Sequence, residues 1–566
     1  MQKRWRIIEA DRQQIETLQK ELRIHPALLR ILVQRGINSY ESAYEFFRPS
    51  MEKLHNPFAM KDMDKAVARI IQAVERNEKI LIYGDYDVDG STAVALLYLF
   101  LKNFYSNFDY YVPHRKKEGY GISFQGIDYA ASHNFSLIIA LDCGIRAEDK
   151  VNYARSKGID IIICDHHLPG EILPAAVAVL DPKRNDCDYP YKELSGCGIG
   201  FKLIQALSIE KNIPLSECFK LVDLVCVSIA ADIVPITGEN RILAYHGLKK
   251  LNSDDALPGI KLLKEIGGIY GEMDIEDAVF VLAPRINAAG RLDDARHAVK
   301  LLIGEAEEEA LDHAIKLNQL NYQRKNIDRQ ITLEALAMIE ADEGMKNRKT
   351  TVVYNSSWHK GVIGIVASRL TESYYRPTIV LTEQDGILTG SARSVKDFNL
   401  YEAIRACSEH LIQFGGHHFA AGLSLYKENL QRFTEAFEAQ VAATIHPDML
   451  IPEVEIDAEI GLQEVNENFY GIIKRMAPFG PGNMKPTFMI KNLTDSGYST
   501  VVKDEHLRIV LKHNNSYIKA IAFGMSSLLP VVQRQPFDLA FHLDENIWND
   551  QRSIQLTVKD IRPAVV

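Results

Sequence analysis

Lys79-Ile80-Leu81-Ile82-Tyr83 runs into Gly84-Asp85-Tyr86-Asp87-Val88-Asp89-Gly90, and Ser91-Thr92-Ala93-Val94-Ala95-Leu96-Leu97 follows. The first run is short and apolar, as a buried strand is, and the last reads as the start of a helix that Ser91 and Thr92 can cap. Three carboxylates therefore fall where a strand gives way to a helix, the edge at which open α/β sheets take ligands. In an extended loop, alternate side chains share one face about 7 Å apart. Acids that close repel one another unless positive charge lies between them, and a divalent cation is the usual remedy. A calcium loop of the D-x-D-x-D-G type would need an acid at its twelfth position, where this chain has Leu96, and a helix in front. That reading is excluded. A merely solvated acidic turn fits poorly between two buried flanks.

Outward from this stretch the same alternation continues. Further strands are predicted at 108–112, 137–141, 160–164 and 176–180, separated by helical stretches. Short apolar strands in that arrangement specify a parallel, doubly wound sheet. The strand at 137–141 runs into Asp142, and the strand at 160–164 into Asp165-His166-His167. Parallel strands present their carboxyl ends on one edge, so these groups can meet the Asp85 cluster although far from it in sequence. Two acidic strand ends beside a His-His pair point to a metal site. Leu221 to Ile233 reads as a very apolar helix carrying Asp223 and Asp232, acids that must be paired with a base or held by something else.

At 566 residues the chain holds several domains, with 46% hydrophobic and 25% charged residues. A formal net charge of -10 gives no bulk attraction to nucleic acid, so any such binding needs a local basic groove. Seven cysteines without a CxxC pair argue for reduced thiols and against a zinc framework. Met1-Gln2-Lys3-Arg4-Trp5-Arg6 turns polar by Glu9, and no apolar run reaches membrane-spanning length. The expectation is a soluble, cytoplasmic protein.

Residues 1–50 are predicted to be a helical segment, 51–300 a first α/β domain and 301–344 a connecting helix with Leu311, Ile315, Ile327 and Ile331 at helical spacing. A second α/β domain is expected over 345–449. Its Gly390-Ser391-Ala392-Arg393-Ser394 and Gly415-Gly416-His417-His418 could offer backbone N–H groups to an anion, or could be tight turns that pack closely. Ala283 to Leu292, with Arg285, Asn287 and Arg291, could cradle phosphate or could pack closely with surface charges. From 450 to 566 about five strands suit a small OB-like barrel, with Tyr498, Tyr517, Phe523, Lys503, Arg508, Lys512 and Lys519 mixing aromatic and basic side chains. Every candidate ligand lies between Asp85 and Asp232, so this tail reads as separable from the metal site.

Asp85-Tyr86-Asp87-Val88-Asp89-Gly90, Leu141-Asp142-Cys143-Gly144, Asp165-His166-His167 and Ala231-Asp232 resemble, in order, the motifs of the DHH phosphoesterase family. The segment to Leu292, Trp358-His359-Lys360-Gly361-Val362-Ile363-Gly364, the Gly390 motif and the Gly415 motif are similar to those of its single-strand-specific exonuclease branch. The resemblance covers nearly everything from residue 20 onward. It implies a parallel-sheet DHH domain, a DHH-associated α/β domain beyond a long helix, and a C-terminal OB-like domain. It also implies metal-dependent removal of 5′-mononucleotides from a free 5′ end of single-stranded DNA, in repair and recombination.

Two Mn²⁺ or Mg²⁺ ions are implied with it. Asp85 and Asp87 would serve one ion, Asp89, His166 and Asp232 the other. Asp142 would bridge them, with His167 as a ligand or phosphate contact. Arg115 and Tyr120 would meet the 5′-terminal phosphate and a base, and Ser391 and Arg393 would complete that pocket. Arg285, Asn287 and His418 would touch phosphates. A helicase and a single-strand-binding protein are the implied protein partners of a monomer. Two rivals are weighed against this reading: a phosphoesterase for very short or cyclic oligonucleotides, which needs no strand-tracking tail, and a catalytically silent scaffold, which needs no complete acid and histidine set.

Overall fold

The computed structural model describes residues 3–115, 117–513, 516–548 and 551–564. Two compact units emerge, one of Ile7–Leu320 with Ile456–Val566, the other of Met1–Arg6 with Asn321–Glu455.

The larger unit opens with α1 (Arg12–Glu21), α2 (Pro26–Gln34) and α3 (Tyr40–Phe47). Asp11 caps α1 by accepting from the amides of Gln13 and Gln14, and Ser39 and Ser42 form a capping box on α3. Leu28, Leu29, Ile31 and Leu32 of α2 do not build a core of their own. They share one with Ile460, Phe469, Phe488 and Phe541 of the C-terminal region.

The central sheet contains β1 (Ile80–Gly84), β2 (Phe108–Tyr111), β3 (Leu137–Leu141), β4 (Asp160–Cys164) and β5 (Ala178–Leu180). Its order is β2-β1-β3-β4-β5 and every pairing is parallel. β1 and β3 are buried along their whole length, which is why they carry unbroken apolar runs rather than alternation. The helix after β1 is α4 (Val88–Leu101). Its cap corrects the sequence reading: Asp87, not Ser91 or Thr92, is the N-cap, accepting from the Gly90 amide at 2.9 Å. Ser91 and Thr92 lie inside the first turns and are buried, with Thr92 Oγ1 donating back to the Val88 carbonyl. The acidic stretch is therefore a strand end and a helix start, not an extended loop.

Behind the sheet pack α5 (Gly196–Glu210), α6 (Val222–Ala231) and α7 (Gly238–Leu251), followed by α8 (Ala283–Leu292). The predicted 221–233 helix stops at Ala231, so Asp232 stands at its C-terminal end and not within it. Asp223 does have a base: Lys250 Nζ lies 2.8 Å from its Oδ2. Helix α9 (Glu307–Ala341) crosses the boundary between the units. Its buried row is Ala310, Ala314 and Leu317, then Ile331, Ala335 and Ile339, while Leu311 and Ile315 are exposed. Of the expected apolar positions Ile331 is buried, whereas Leu311 and Ile315 give way to Ala310 and Ala314, which allow close approach.

The smaller unit contains β6 (Thr351–Tyr354), α10 (Ile363–Tyr374), β7 (Thr378–Gln384), β8 (Ile387–Arg393), β9 (Gln413–Gly416) and β10 (Ala420–Tyr426), with sheet order β9-β10-β8-β7-β6. Gly390 is no turn. It sits inside β8 with Leu381 and Leu423 as ladder partners, and a Cβ there would come within 2.6 Å of Leu381 Cδ2. Close packing, rather than an anion cradle, explains this glycine.

In the C-terminal region β11 (Ala458–Glu459), β12 (Phe488–Leu493), β13 (Thr500–Val502), β14 (His506–His513), β15 (Ser516–Ala522), β16 (Phe537–Trp548) and β17 (Gln551–Pro563) form one sheet, in the order β11-β12-β16-β17-β15-β14-β13. The sheet has seven strands where about five were expected. Among the described residues no helix is long and apolar enough to cross a membrane.

Candidate metal centre

The parallel sheet delivers its ionisable residues to one edge, as strand polarity requires. Asp85 follows β1, Asp142 follows β3, and Asp165, His166 and His167 follow β4. His166 Nε2 is the hub. It lies 3.2 Å from Asp142 Oδ1, 3.6 Å from Asp232 Oδ2 and 3.7 Å from Asp89 Oδ2. Donor atoms of Asp89, His166 and Asp232 form one set able to hold a cation, and those of Asp142, His166 and His167 form another. Asp85 and Asp87 stand beside them in the strand-to-helix connection.

Each acid is held by a different local device. Asp89 Oδ1 accepts from the Cys197 amide and Ser228 Oγ at 2.7 and 2.6 Å, and its Oδ2 from the Gly196 amide at 2.7 Å. The N-terminus of α5 thus clamps a carboxylate. Asp142 adopts a left-handed backbone (φ 58°), tolerable for Asp, and its amide bonds the Cys164 carbonyl. A Cβ at Gly196 would lie 2.6 Å from Asp142 Cβ and Oδ1, so only glycine admits the Asp142 side chain there. Asp85 Oδ1 accepts weakly from the Gly121 amide at 3.3 Å.

Crowding of like charge shows in the acidities. Burial, then Asp87, raises Asp85 well above the usual carboxylate range, and burial, then Asp89 and Asp87, does the same to Asp142. Asp232 is pushed up to about 8 by burial and by Asp89 and Asp87. Burial lowers His166. Asp165 behaves oppositely: burial would raise it, but the hydrogen bond and charge of His167 and the Ile145 amide bring it to about 2. His167, which burial alone would lower, is raised to about 9 by Asp165.

A cation fits this donor set. Asp85 Oδ2, Asp142 Oδ1 and both ring nitrogens of His166 are buried and make no hydrogen bond. Orphaned buried groups of that kind call for an unseen partner. Oxygen donors with one or two imidazoles suit Mn²⁺ and Mg²⁺ better than a thiolate-loving metal.

Two acids at this edge were missed as site residues. Asp165 was read only as part of its motif. It accepts the Ile145 amide on Oδ2 and the His166 amide on Oδ1, fixing the loops after β3 and β4 together. Asp181, directly after β5, is fully buried with Oδ2 unpartnered, and burial pushes it to about 7. The signal was available, since Asp181 immediately follows a predicted strand.

The predicted nucleic-acid contacts divide between the units. In the larger one, the Arg115 guanidinium lies 5.2 Å from the Tyr86 ring centre, and Tyr120 OH stands 3.2 Å from His167 Nε2 and 3.3 Å from the Asp142 carbonyl. Tyr120 is half exposed above the metal centre. Arg285 is nearly buried, its Nη1 on the Val281 carbonyl and its Nε on Asn318, while Asn287 is half-buried on the same helix. Gly290 brings that helix against the acidic stretch, for a Cβ there would be 2.6 Å from the Tyr86 carbonyl oxygen. In the smaller unit Arg393 Nη1 donates to Ser391 Oγ at 3.1 Å, beside Gly364 near the start of α10. His418 lies next to Phe419, with ring centres 4.8 Å apart.

A parallel sheet with acids and histidines along its carboxyl edge, followed by a second α/β domain, defines the DHH class. The model of the DHH family N-terminal domain matches residues 79–229, that of the DHHA1 domain 347–443 and that of the RecJ OB domain 456–560. The single-stranded-DNA-specific exonuclease RecJ of Bacillus subtilis (strain 168) is 36% identical over 98% of this chain and 70% of its own length. That of Escherichia coli (strain K12) is 33% identical over 97% and 98%. The crystal structure of RecJ from Thermus thermophilus in complex with Mn²⁺ superposes with a TM-score of 0.86 at 26% identity, covering 100% of this chain and 80% of that one. The chain belongs to the RecJ family.

Proposed function

We propose that this chain is a metal-dependent exonuclease that removes 5′-mononucleotides from the 5′ end of single-stranded DNA during repair and recombination. The observation that carries the reading is the convergence of Asp89, Asp142, His166, His167 and Asp232 at one sheet edge, with Asp87 close enough to repel both Asp85 and Asp89, and with unpartnered buried atoms on Asp85, Asp142 and His166. Relatives at 36% and 33% identity named for single-strand-specific exonuclease activity support it, as does a related fold crystallised with Mn²⁺.

In this reading Asp85 and Asp87 would hold one Mn²⁺ or Mg²⁺, Asp89, His166 and Asp232 would hold a second, and Asp142 would serve both. Bound there, such cations would supply the Lewis acidity that polarises a phosphodiester and lowers the pKa of water to give a hydroxide nucleophile. The protein's own part is positioning. Asp165 fixes the His167 ring, whose Nε2 side then faces the substrate as ligand or phosphate contact. Tyr120 and Arg115 meet the terminal nucleotide, and Ser391 with Arg393 binds a phosphate oxygen. Arg285, Asn287 and His418 complete the phosphate contacts. Seven free, buried cysteines suit a reducing cytoplasm. A helicase and a single-strand-binding protein are the partners such an exonuclease needs to obtain single strands, and the chain acts as a monomer.

Digestion of single- and double-stranded DNA labelled at either end tests this. With Mn²⁺, a 5′ label on a single strand should be released first as mononucleotide, and duplex should persist. Release beginning at the 3′ label, or equal loss of duplex, would overturn the assignment.

A further inference from the structure

Asp232 is held from one side by α6, its amide donating to the Ser228 carbonyl at 2.9 Å, and no helix or strand continues the chain directly after it. It ends α6, and Ile233, which follows, takes a left-handed backbone (φ 57°) with an exposed side chain. What holds the next four residues comes from two sides. From the catalytic domain, Tyr191 OH lies 3.2 Å from the Pro235 carbonyl and 3.1 Å from Thr237 Oγ1, and Asn240 Nδ2 reaches the same carbonyl at 3.0 Å. From the C-terminal region, the Pro481 carbonyl accepts the Ile236 amide at 2.6 Å.

The Pro481 carbonyl belongs to a tight turn. Gly480 and Asn483 exchange both backbone hydrogen bonds, at 3.1 and 2.8 Å. The turn presses so closely on the segment after Asp232 that a Cβ at Gly480 would lie 2.5 Å from Ile236 Cγ1. One at Gly482 would lie 2.8 Å from Thr237 Cγ2. Asn483 is buried and closes the turn from within, donating to the Met476 and Pro478 carbonyls at 3.0 and 2.7 Å.

Arg241 of α7 secures the same loop to the catalytic domain. Its guanidinium donates to the carbonyls of Met476, Pro478, Ala477 and Phe46 and lies 3.8 Å from the Phe46 ring centre. Only 5% of it is exposed, and the carbonyls take the place of an acid. A buried arginine satisfied this way is costly to disturb.

From this geometry we infer that the Gly480–Asn483 turn, clamped by Arg241, is a positioning element for Asp232. The C-terminal domain thereby completes one of the two cation sites, rather than serving as a detachable strand-binding surface. The inference rests on Asp232 being a ligand, as proposed above.

Mn²⁺ titration of the full-length chain, read by calorimetry or by the spin resonance of free Mn²⁺, tests it without reference to activity. Asp232→Asn should weaken one of the two bound equivalents. Gly480→Ala and Arg241→Gln should weaken that same equivalent about tenfold or more, the usual cost of losing an outer support, and leave the other unchanged. Ile236→Ala combined with Gly480→Ala, which removes the clashing carbon, should restore it. If Asp232→Asn weakens binding while Gly480→Ala and Arg241→Gln do not, the turn has no positioning role and the inference falls with the ligand reading intact. If Asp232→Asn itself leaves Mn²⁺ binding unchanged, the ligand reading falls, and this inference with it. Should Gly480→Ala fail to fold, Arg241→Gln alone decides: unaltered Mn²⁺ affinity in it overturns the proposal.

Discussion

Asp165 Oδ1 stands 2.7 Å from His167 Nδ1, and Asp165 is fully buried while the His167 side chain is 36% exposed. The carboxylate therefore fixes the direction of the imidazole: Nδ1 is taken up by Asp165, and Nε2, beside Tyr120 OH, is the nitrogen turned toward the metal centre. Asp165→Asn keeps the shape but removes the charge that raises His167. It is expected to lower the rate of single-strand hydrolysis about 10- to 100-fold with the melting temperature little changed. Parallel kinetics and thermal melts check this; unchanged turnover would make Asp165 merely structural.

Asp142 has room for its side chain only because residue 196 lacks one. Gly196→Ala should displace Asp142 and cut hydrolysis at least as far as losing a single charge-stabilising donor does, about 100-fold or more. Asp142→Ala should abolish it. Circular dichroism confirms the fold. A rate above about a tenth of wild type in Asp142→Ala would defeat the two-cation scheme.

The metal centre makes stability depend on pH in a direction that can be worked out. Asp232 is raised to about 8, and Asp85 and Asp142 are also raised, so the folded, metal-free chain keeps protons that the unfolded chain releases near pH 4. These groups stabilise the folded state fully below the unfolded value, and the contribution is lost as pH climbs through 8. In EDTA the chain should melt higher at pH 6 than at pH 8.5. Saturating Mn²⁺, which replaces those protons, should shrink or reverse the difference. Parallel melting curves with and without Mn²⁺ would contradict this.

Arg393 is paired with Ser391 and no carboxylate, and burial lowers its pKa. A guanidinium so placed is available to a phosphate. Arg393→Ala should raise KM for 5′-phosphorylated single strands about tenfold or more while Mn²⁺ affinity stays put. Normal KM in this variant would remove Arg393 from the substrate site.

The sheet, its order of elements and the convergence of its acids were legible because each rests on a local pattern: an apolar run, then an ionisable residue where the strand stops. The ligand shell around those acids was not. Nothing near Asp89 announces that the amides of Gly196 and Cys197 and the hydroxyl of Ser228 close on it from more than a hundred residues away. Glycines were undecided in the same way. For Gly390 and Gly290 an anion cradle and close packing both stood open, and each is a place where one segment passes close to another, which only the packed structure defines. Asp232 was misjudged as a mid-helix acid because the apolar run continues through Ile233 and Val234, past the turn that ends the helix.

The core that α2 shares with Phe469, Phe488 and Phe541 also constrains how this molecule is made. Arg30 donates to the carbonyl of Asp457, 427 residues further on, and the leucines around it have their apolar partners at similar separations. During synthesis the first helices leave the ribosome with only one another to pack against until the C-terminal sheet has emerged. Their apolar faces stay open for the whole of that interval, to chaperones or to neighbouring nascent chains, and closing so long a loop is slow. Weakening α2, as in Leu28→Ala, should therefore cost more in soluble yield from cells than in the melting temperature of the purified protein.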